Sequence, residues 1–400
     1  PRDYLVGATR FPEGIFEQVS TGTRSFGLEL GADLALPLHN KLGFGLSGEL
    51  ASLFDYSYLT NYTPGTNAYV GPQLSRPDGL VYPTEAAKGA AASRLGIGVF
   101  VQDEFTPFDR LTLQLGVRLD LAQLPTSKNS AITGAGLAAG IGPRAGIVFA
   151  PINSLALKAH YGRAWRVPTV QELAETIPNS DVNQGRFVGN PALQPAYVDS
   201  IEVGFEYAQS ISDAKLKLKG SGYFESFTNP INPVDPTGNL VPYANRQLGV
   251  RVFGAEGEAR VELSQRSNAW INASFFRAED NGTVPAARLL TDTPQARANA
   301  GFSLPLGPYL NFDVTLRAGS ERRNDSRTVL ELIRRYKLPG YFLVGASLRT
   351  EPIFDHFELS VTGQNVFDFD QVDDVPRPDR ITAGLPREGL QAFATLKAEL

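Results

Sequence analysis

Between Leu111 and Leu119 the chain reads LTLQLGVRL, which sets Leu111, Leu113, Leu115, Val117 and Leu119 on one face of an extended strand and Thr112, Gln114, Gly116 and Arg118 on the other. The same period of two returns in IEVGFEY (Ile201 to Tyr207), LKLKGSGYF (Leu216 to Phe224), LNFDVTLRA (Leu310 to Ala318) and FELSVTG (Phe357 to Gly363). A sheet made of such strands needs apolar surroundings on one face and polar surroundings on the other. Lipid outside and water or a polar filling inside meet that need. The pattern therefore predicts an all-β fold, an antiparallel transmembrane β-barrel.

Strands are predicted near 23–35, 41–58, 94–106, 109–124, 140–150 and 153–166, and then near 197–209, 214–228, 248–264, 267–279, 295–305, 309–320, 340–350, 354–366 and 390–400. Short turns such as Pro107-Phe108-Asp109, Ala150-Pro151-Ile152-Asn153, Leu306-Gly307-Pro308 and Glu351-Pro352-Ile353 alternate with long polar connections at 59–93, 125–139, 167–196, 280–294, 321–339 and 367–389. Short turns on one rim and long loops on the other are the habit of outer-membrane barrels, and a tilted crossing takes about 9 to 11 residues per strand. Aromatic residues near strand ends (Phe105, Phe108, Tyr161, Trp165, Phe224, Phe227, Trp270 and Phe275) are candidates for interfacial girdles. A soluble all-β protein such as a propeller also alternates. Against it stand the long hairpins and a polar face that carries full charges, as in Lys215, Lys217 and Lys219 or Glu256, Glu258, Arg260 and Glu262, where a sandwich needs a dry core.

Composition narrows the choice. The 400 residues show no shift that marks a domain boundary and no linker, so one repeated hairpin sheet over 1–400 accounts for the length. A formal charge of −5 argues against nucleic-acid binding, which needs a concentrated basic face. The absence of cysteine excludes disulfides, thiolate metal sites and a cysteine nucleophile. No run approaches the roughly 18 apolar residues of a membrane helix. The chain opens at Pro1 without a secretory leader and contains no methionine, as expected of a mature product or an excised fragment.

No catalytic constellation emerges. His39, His160 and His356 lack metal-ligand spacing, and each reads as a rim or lumen residue. His160 and Ser154 share a face yet lie about 20 Å apart along a strand, beyond proton-transfer reach. GLAAGIG (Gly136 to Gly142) resembles a phosphate loop only in composition and reads as a mobile loop leading into a strand. SRTVLELIRRYK (Ser326 to Lys337) fits either a short amphipathic helix or a loop and strand extension. No metal and no cofactor is expected.

If the leucine faces meet lipid, then Gln102, Glu104, Arg118, Asp120, Lys158, Arg166, Glu202, Glu206, Glu256, Arg260, Asp313 and Arg317 point inward. Arg166 and the nearby Arg163 stand where a long loop begins, and guanidinium suits carboxylate, catecholate or phosphate groups.

Several stretches resemble the barrel of TonB-dependent outer-membrane receptors. GVFVQDEFTPFDRLTLQLGVRLD (Gly98 to Asp120) is similar to that family's common hairpin, and PRAGIVFAPINSLALKAHYGRAWRVPTVQEL (Pro143 to Leu173) to its next hairpin with an Arg-x-Pro loop entry. VGNPALQPAYVDSIEVGFEY (Val188 to Tyr207), LPGYFLVGASL (Leu338 to Leu348) and QNVFD (Gln364 to Asp368) follow in the family's order. The chain departs from the pattern at Ala196, at Leu385-Pro386-Arg387-Glu388-Gly389 and at the final Leu400, where the family commonly has an acid, Pro-Gly-Arg and an aromatic residue.

The resemblance implies the C-terminal portion, about 15 strands, of a 22-stranded receptor barrel, a fragment without the N-terminal plug, the TonB-contacting segment and the first strands. It implies outer-membrane lipid, TonB and a small ligand such as a metal chelate as partners. The implied activity is energised uptake of a scarce bulky solute (a ferric siderophore, cobalamin or an oligosaccharide), with no catalysis. The inward residues would hold the plug, and Arg163 and Arg166 at the outer mouth would touch ligand. A passive porin or a structural or adhesive barrel that lost its plug is the alternative.

Overall fold

The computed structural model describes residues 4–6, 9–12, 14, 16–63, 68–71, 93–124, 136–169, 172–173, 186–190, 192–233, 240–245, 249–264, 266–280, 293–323, 337–354, 356–373 and 385–398. Fifteen strands form one antiparallel sheet in sequence order. They are β1 (Glu17–Leu36), β2 (Asn40–Thr60), β3 (Ser93–Phe108), β4 (Leu111–Gln123), β5 (Leu137–Ile152), β6 (Leu155–Arg166), β7 (Ala196–Ile211) and β8 (Ala214–Thr228), then β9 (Val250–Glu262), β10 (Asn268–Asp280), β11 (Ala296–Pro305), β12 (Leu310–Gly319), β13 (Tyr341–Thr350), β14 (Phe357–Gln364) and β15 (Gln391–Ala398). Every expected strand is present, and the largest displacement is at the start of β1, at Glu17 rather than 23. No register joins β1 to β15 among the described residues, so both keep a free edge.

Connections alternate without exception. Residues 37–39, 109–110, 153–154, 212–213, 263–267, 306–309 and 351–356 make one rim, and the long connections, including 229–249, make the other. Only Lys337 of the segment 326–337 lies within the described residues, where it begins a two-residue strand, so the reading of 326–336 falls outside them.

Ladder register carries the alternation from strand to strand. Leu113, Leu115 and Leu119 of β4 pair with Ile147, Ala145 and Ile141 of β5, whereas Gln114, Arg118 and Asp120 pair with Gly146, Gly142 and Gly140. The apolar rank is exposed across the whole sheet: Leu28, Leu115, Ile201 and Val203 are each more than half accessible. A soluble sandwich would bury this rank against a second layer, and among the described residues no such layer exists. We call it the outer rank and its opposite the inner rank.

Fully buried apolar residues gather instead at the long-connection rim. Phe11 packs edge-on against Tyr62 and Tyr69, at 6.3 and 5.7 Å between ring centres. Leu173, Leu193 and Ile231 form a second cluster with Tyr243. Ile231 and Tyr243 of that cluster lie in a small sheet of Arg186–Val188, Leu240–Asn245 and Ile231–Pro233, which joins the connections after β6 and after β8.

The segment 136–142 corrects the expectation of a mobile loop, because Leu137 to Gly142 already lies in β5. Pairing of β5 with β6 stops at Arg144 opposite Gly162, one residue before Pro143, which has no N–H to donate. Freed from that ladder, the end of β6 leans across the inner rank of β5, so the Trp165 indole lies over Gly140, where any Cβ would collide with the ring. Glycine is needed there for close approach.

Candidate functional site: the inner wall and its outer mouth

Inner-rank charges meet across neighbouring strands. Lys158 Nζ on β6 lies 2.9 Å from Glu206 on β7, and His160 Nε2 lies 3.5 Å from Glu202. On β3 and β4 the Gln114 amide donates to Glu104 at 2.8 Å. Arg118 donates to Asp120 at 2.8 Å and to Ser47 Oγ at 2.5 Å, its guanidinium lying over Gly98 in the space a Cβ would occupy. Gln102 sits between Gly43 and Gly116. Lys217 and Arg260 both reach Glu262, at 3.1 Å each. Glu256 stands between Ser221 and Ser274, Ser303 donates to Asp313 at 2.5 Å, and Arg317 pairs in register with Asn299. Grooves run along this wall. One, of about 710 Å³, is lined by Arg118, Asp120, Arg163, Trp165 and Arg166; another, of about 530 Å³, by Lys158, His160, Glu202, Glu206, Lys219 and Glu256. The residues named from alternation share this one rank.

At the mouth the two arginines part company. Arg166, the last residue of β6, donates twice to Glu172, at 2.8 Å each. Glu172 is itself fixed by its loop: the Thr169 N–H donates to its carboxylate at 2.8 Å, and its own N–H donates to Thr169 Oγ1 at 3.1 Å. That reciprocal pair is a capping box, and the run Thr169-Val170-Gln171-Glu172 spells its signature. Burial pushes the Glu172 carboxyl up, but the Arg166 and Thr169 hydrogen bonds outweigh it and hold the group below its ordinary value. Sequence reading missed Glu172, although a Thr-x-x-Glu motif directly after an Arg-x-Pro entry was available to find it.

Arg163 is in register with Asp199, on the rank of Leu157 and Ile201 rather than that of Lys158 and His160. It donates to both Asp199 oxygens, at 2.8 and 2.9 Å, and the Tyr161 hydroxyl donates to the same carboxylate at 2.7 Å. An acid next to Ile201 on an apolar rank was the available clue, because a charge there needs a partner. Both arginines border the same groove, each held by its own carboxylate, Asp199 or Glu172.

Trp165 stacks on Tyr197, with ring centres 6.4 Å apart, and points Nε1 at Asp120 from 3.4 Å. It packs against Ala122, Leu124, Ala138 and Val167. Trp270 lies opposite Arg260 on the inner rank, and Phe227 pairs with the buried Val250. These three aromatics leave the proposed girdle, whereas Phe108, Phe224 and Phe275 are exposed. Among the described residues no group of three or more His, Asp or Glu side chains is arranged to hold a metal ion.

An exposed apolar rank, a charged inner rank and alternating short and long connections are the features of a transmembrane β-barrel wall. The chain belongs to the TonB-dependent receptor-like β-barrel family, whose match covers residues 2–366. No curated protein matches it. Solved structures with a similar fold include the FrpB iron transporter from Neisseria meningitidis (14% identity, TM-score 0.65), which covers 94% of this chain and 55% of its own. The copper transporter OprC (17%, TM-score 0.69) covers 98% and 58%, and the siderophore receptor PirA from Acinetobacter baumannii (15%, TM-score 0.66) covers 96% and 55%. The chain thus spans a little over half the length of these proteins.

Proposed function

We propose that this chain is wall of an outer-membrane receptor that imports a scarce bulky solute, such as a ferric siderophore, cobalamin or an oligosaccharide, with energy delivered through TonB and a plug segment. The single observation behind this is the split between an exposed apolar rank and an inner rank of cross-strand ion pairs, in a member of the TonB-dependent receptor-like family. The mixed-sign inner wall suits a polar plug that is held while its charges are matched and released when pulled, because partly solvated ion pairs exchange partners at small cost. Gln102, Glu104, Arg118, Asp120, Lys158, Glu202, Glu206, Glu256, Arg260, Asp313 and Arg317 would serve it. Arg166 is the mouth residue suited to an anionic ligand. Its guanidinium is pre-set by Glu172, so binding would not have to order a free side chain. Arg163 borders the same groove and is held by Asp199.

Growth of a deletion strain under iron limitation tests the reading, with ferric siderophores, cobalamin and oligosaccharides supplied one at a time. Restored uptake that depends on TonB is expected for one of them. Uptake that continues without TonB would establish the passive-porin alternative.

A further inference from the structure

The connections after β6 and after β8 are distant in sequence but share their hydrogen bonds. Asn190, in the first, donates its backbone N–H to the Glu172 carbonyl at 2.8 Å. Its side-chain oxygen closes a turn by accepting from the Ala192 N–H at 2.9 Å, and its side-chain amide reaches the second connection, donating to the Tyr243 carbonyl at 2.9 Å. Asn245, two residues after Tyr243, bonds in the reverse direction. Its side chain takes both backbone groups of Gln194, accepting from the N–H at 2.6 Å and donating to the carbonyl at 2.8 Å, and it also donates to the Asn229 carbonyl at 2.9 Å. Asn229 lies just past the end of β8, where its φ of 52° turns the chain in a conformation that asparagine tolerates.

Buried apolar side chains back these bonds. Leu173 and Leu193 come from the first connection and Ile231 from the second. Leu173 directly follows Glu172, so the carboxylate that holds Arg166 is anchored twice: within its own turn by Thr169, and through Asn190 and the Leu173 cluster to the connection after β8. Asn190 and Asn245 are half-buried, and leaving their partners unpaired there costs more than it does at an open surface.

We propose that Asn190 and Asn245 are positioning residues for Arg166. They clasp the two connections into one body, and that body presents Glu172 so that the Arg166 guanidinium stands fixed at the edge of the groove. A change in the connection after β8 thereby reaches Arg166 without touching it. The inference rests on the reading of Arg166 as a ligand contact under Proposed function.

The test follows the guanidinium itself. Phenylglyoxal modifies an unpaired guanidinium faster than one held by a carboxylate, and peptide mass spectrometry of the labelled full-length protein in detergent reads Arg166 and Arg163 in the same molecule. Asn245→Ala and Asn190→Ala should each speed modification of Arg166 about fivefold, with Arg163, held by Asp199 on the neighbouring strand, unchanged. Glu172→Ala should speed it at least as much, and adding Asn245→Ala to that variant should change nothing further, because Asn245 acts through Glu172. Asn365→Ala removes a similar asparagine bridge, to Phe369 in the connection after β14, and should leave Arg166 as it was. An unchanged Arg166 rate in Asn245→Ala, additive effects in the double variant, or an equal rise at Arg163 would overturn the positioning role. The labelling uses no ligand, so uptake without TonB would overturn the receptor reading and leave the labelling pattern intact, whereas a flat Arg166 rate would overturn the clasp and leave the receptor reading intact.

Discussion

Arg163 and Arg166 lie three residues apart at the end of β6 and border one groove, and each donates twice to a carboxylate, yet the carboxylates come from different elements. The Arg163 region continues the rank of Leu157 and Ile201, and Asp199 allows a charge to sit at the edge of an apolar band. The Arg166 region opens on the groove shared with Arg118 and Asp120, and its partner comes from a capped loop. Rank alone does not separate them, because the ladder to β5 stops at Gly162 and Trp165, on the rank of Arg163, lies over the inner rank of β5.

The difference between ranks is sharpest at mid-height. Leu115→Arg, on the outer rank, should cost about 2 to 4 kcal/mol and block assembly, whereas Gln114→Arg, one residue earlier on the inner rank, should be mild. Folding yield into lipid vesicles reads both, and equal effects would remove the distinction between the faces. A smaller effect is expected where β6 leans over β5. Gly140→Val drives side-chain atoms into the Trp165 ring and should cost about 1 to 3 kcal/mol with a shift in tryptophan emission, while Gly162→Ala, which meets open space, should do neither.

How much of this was legible follows the same division. The fifteen strands could be placed because each repeats one rule, apolar toward one medium and polar toward the other, and turn residues punctuate the repeats. Gly136 to Gly142 misled because glycine content is read as loop when no partner is in view; only the Trp165 indole above Gly140 explains it. Trp165, Phe227 and Trp270 misled likewise, since nearness to a strand end does not say which rank an aromatic occupies. The small sheet joining the two long connections has segments of 3 to 6 residues, too short for any period to show.

The Arg166 region should respond to acid. Glu172 is held below its ordinary carboxyl value, so its contribution is fully present above that value and is lost as pH falls through the lowered one. Ligand affinity should hold from neutral pH down to the usual carboxylate range and fall below it, and Glu172→Gln should flatten that profile in a binding titration. The smallest effect is expected in the Arg163 region. Asp199→Asn keeps the size and one acceptor, and it should lower stability by about 1 kcal/mol or less in a denaturant titration, because the pair is partly exposed.

The chain contains no cysteine, so single cysteines carrying a spin label report one position at a time. Collision with oxygen, which concentrates in hydrocarbon, and with a water-soluble nickel chelate should be compared at 114, 115, 118, 119, 202 and 203 in the vesicle-inserted protein. Oxygen should dominate at 115, 119 and 203 and the chelate at 114, 118 and 202, alternating residue by residue. Chelate access at every position, or no alternation at all, would contradict a wall with lipid on one face and a polar lumen on the other.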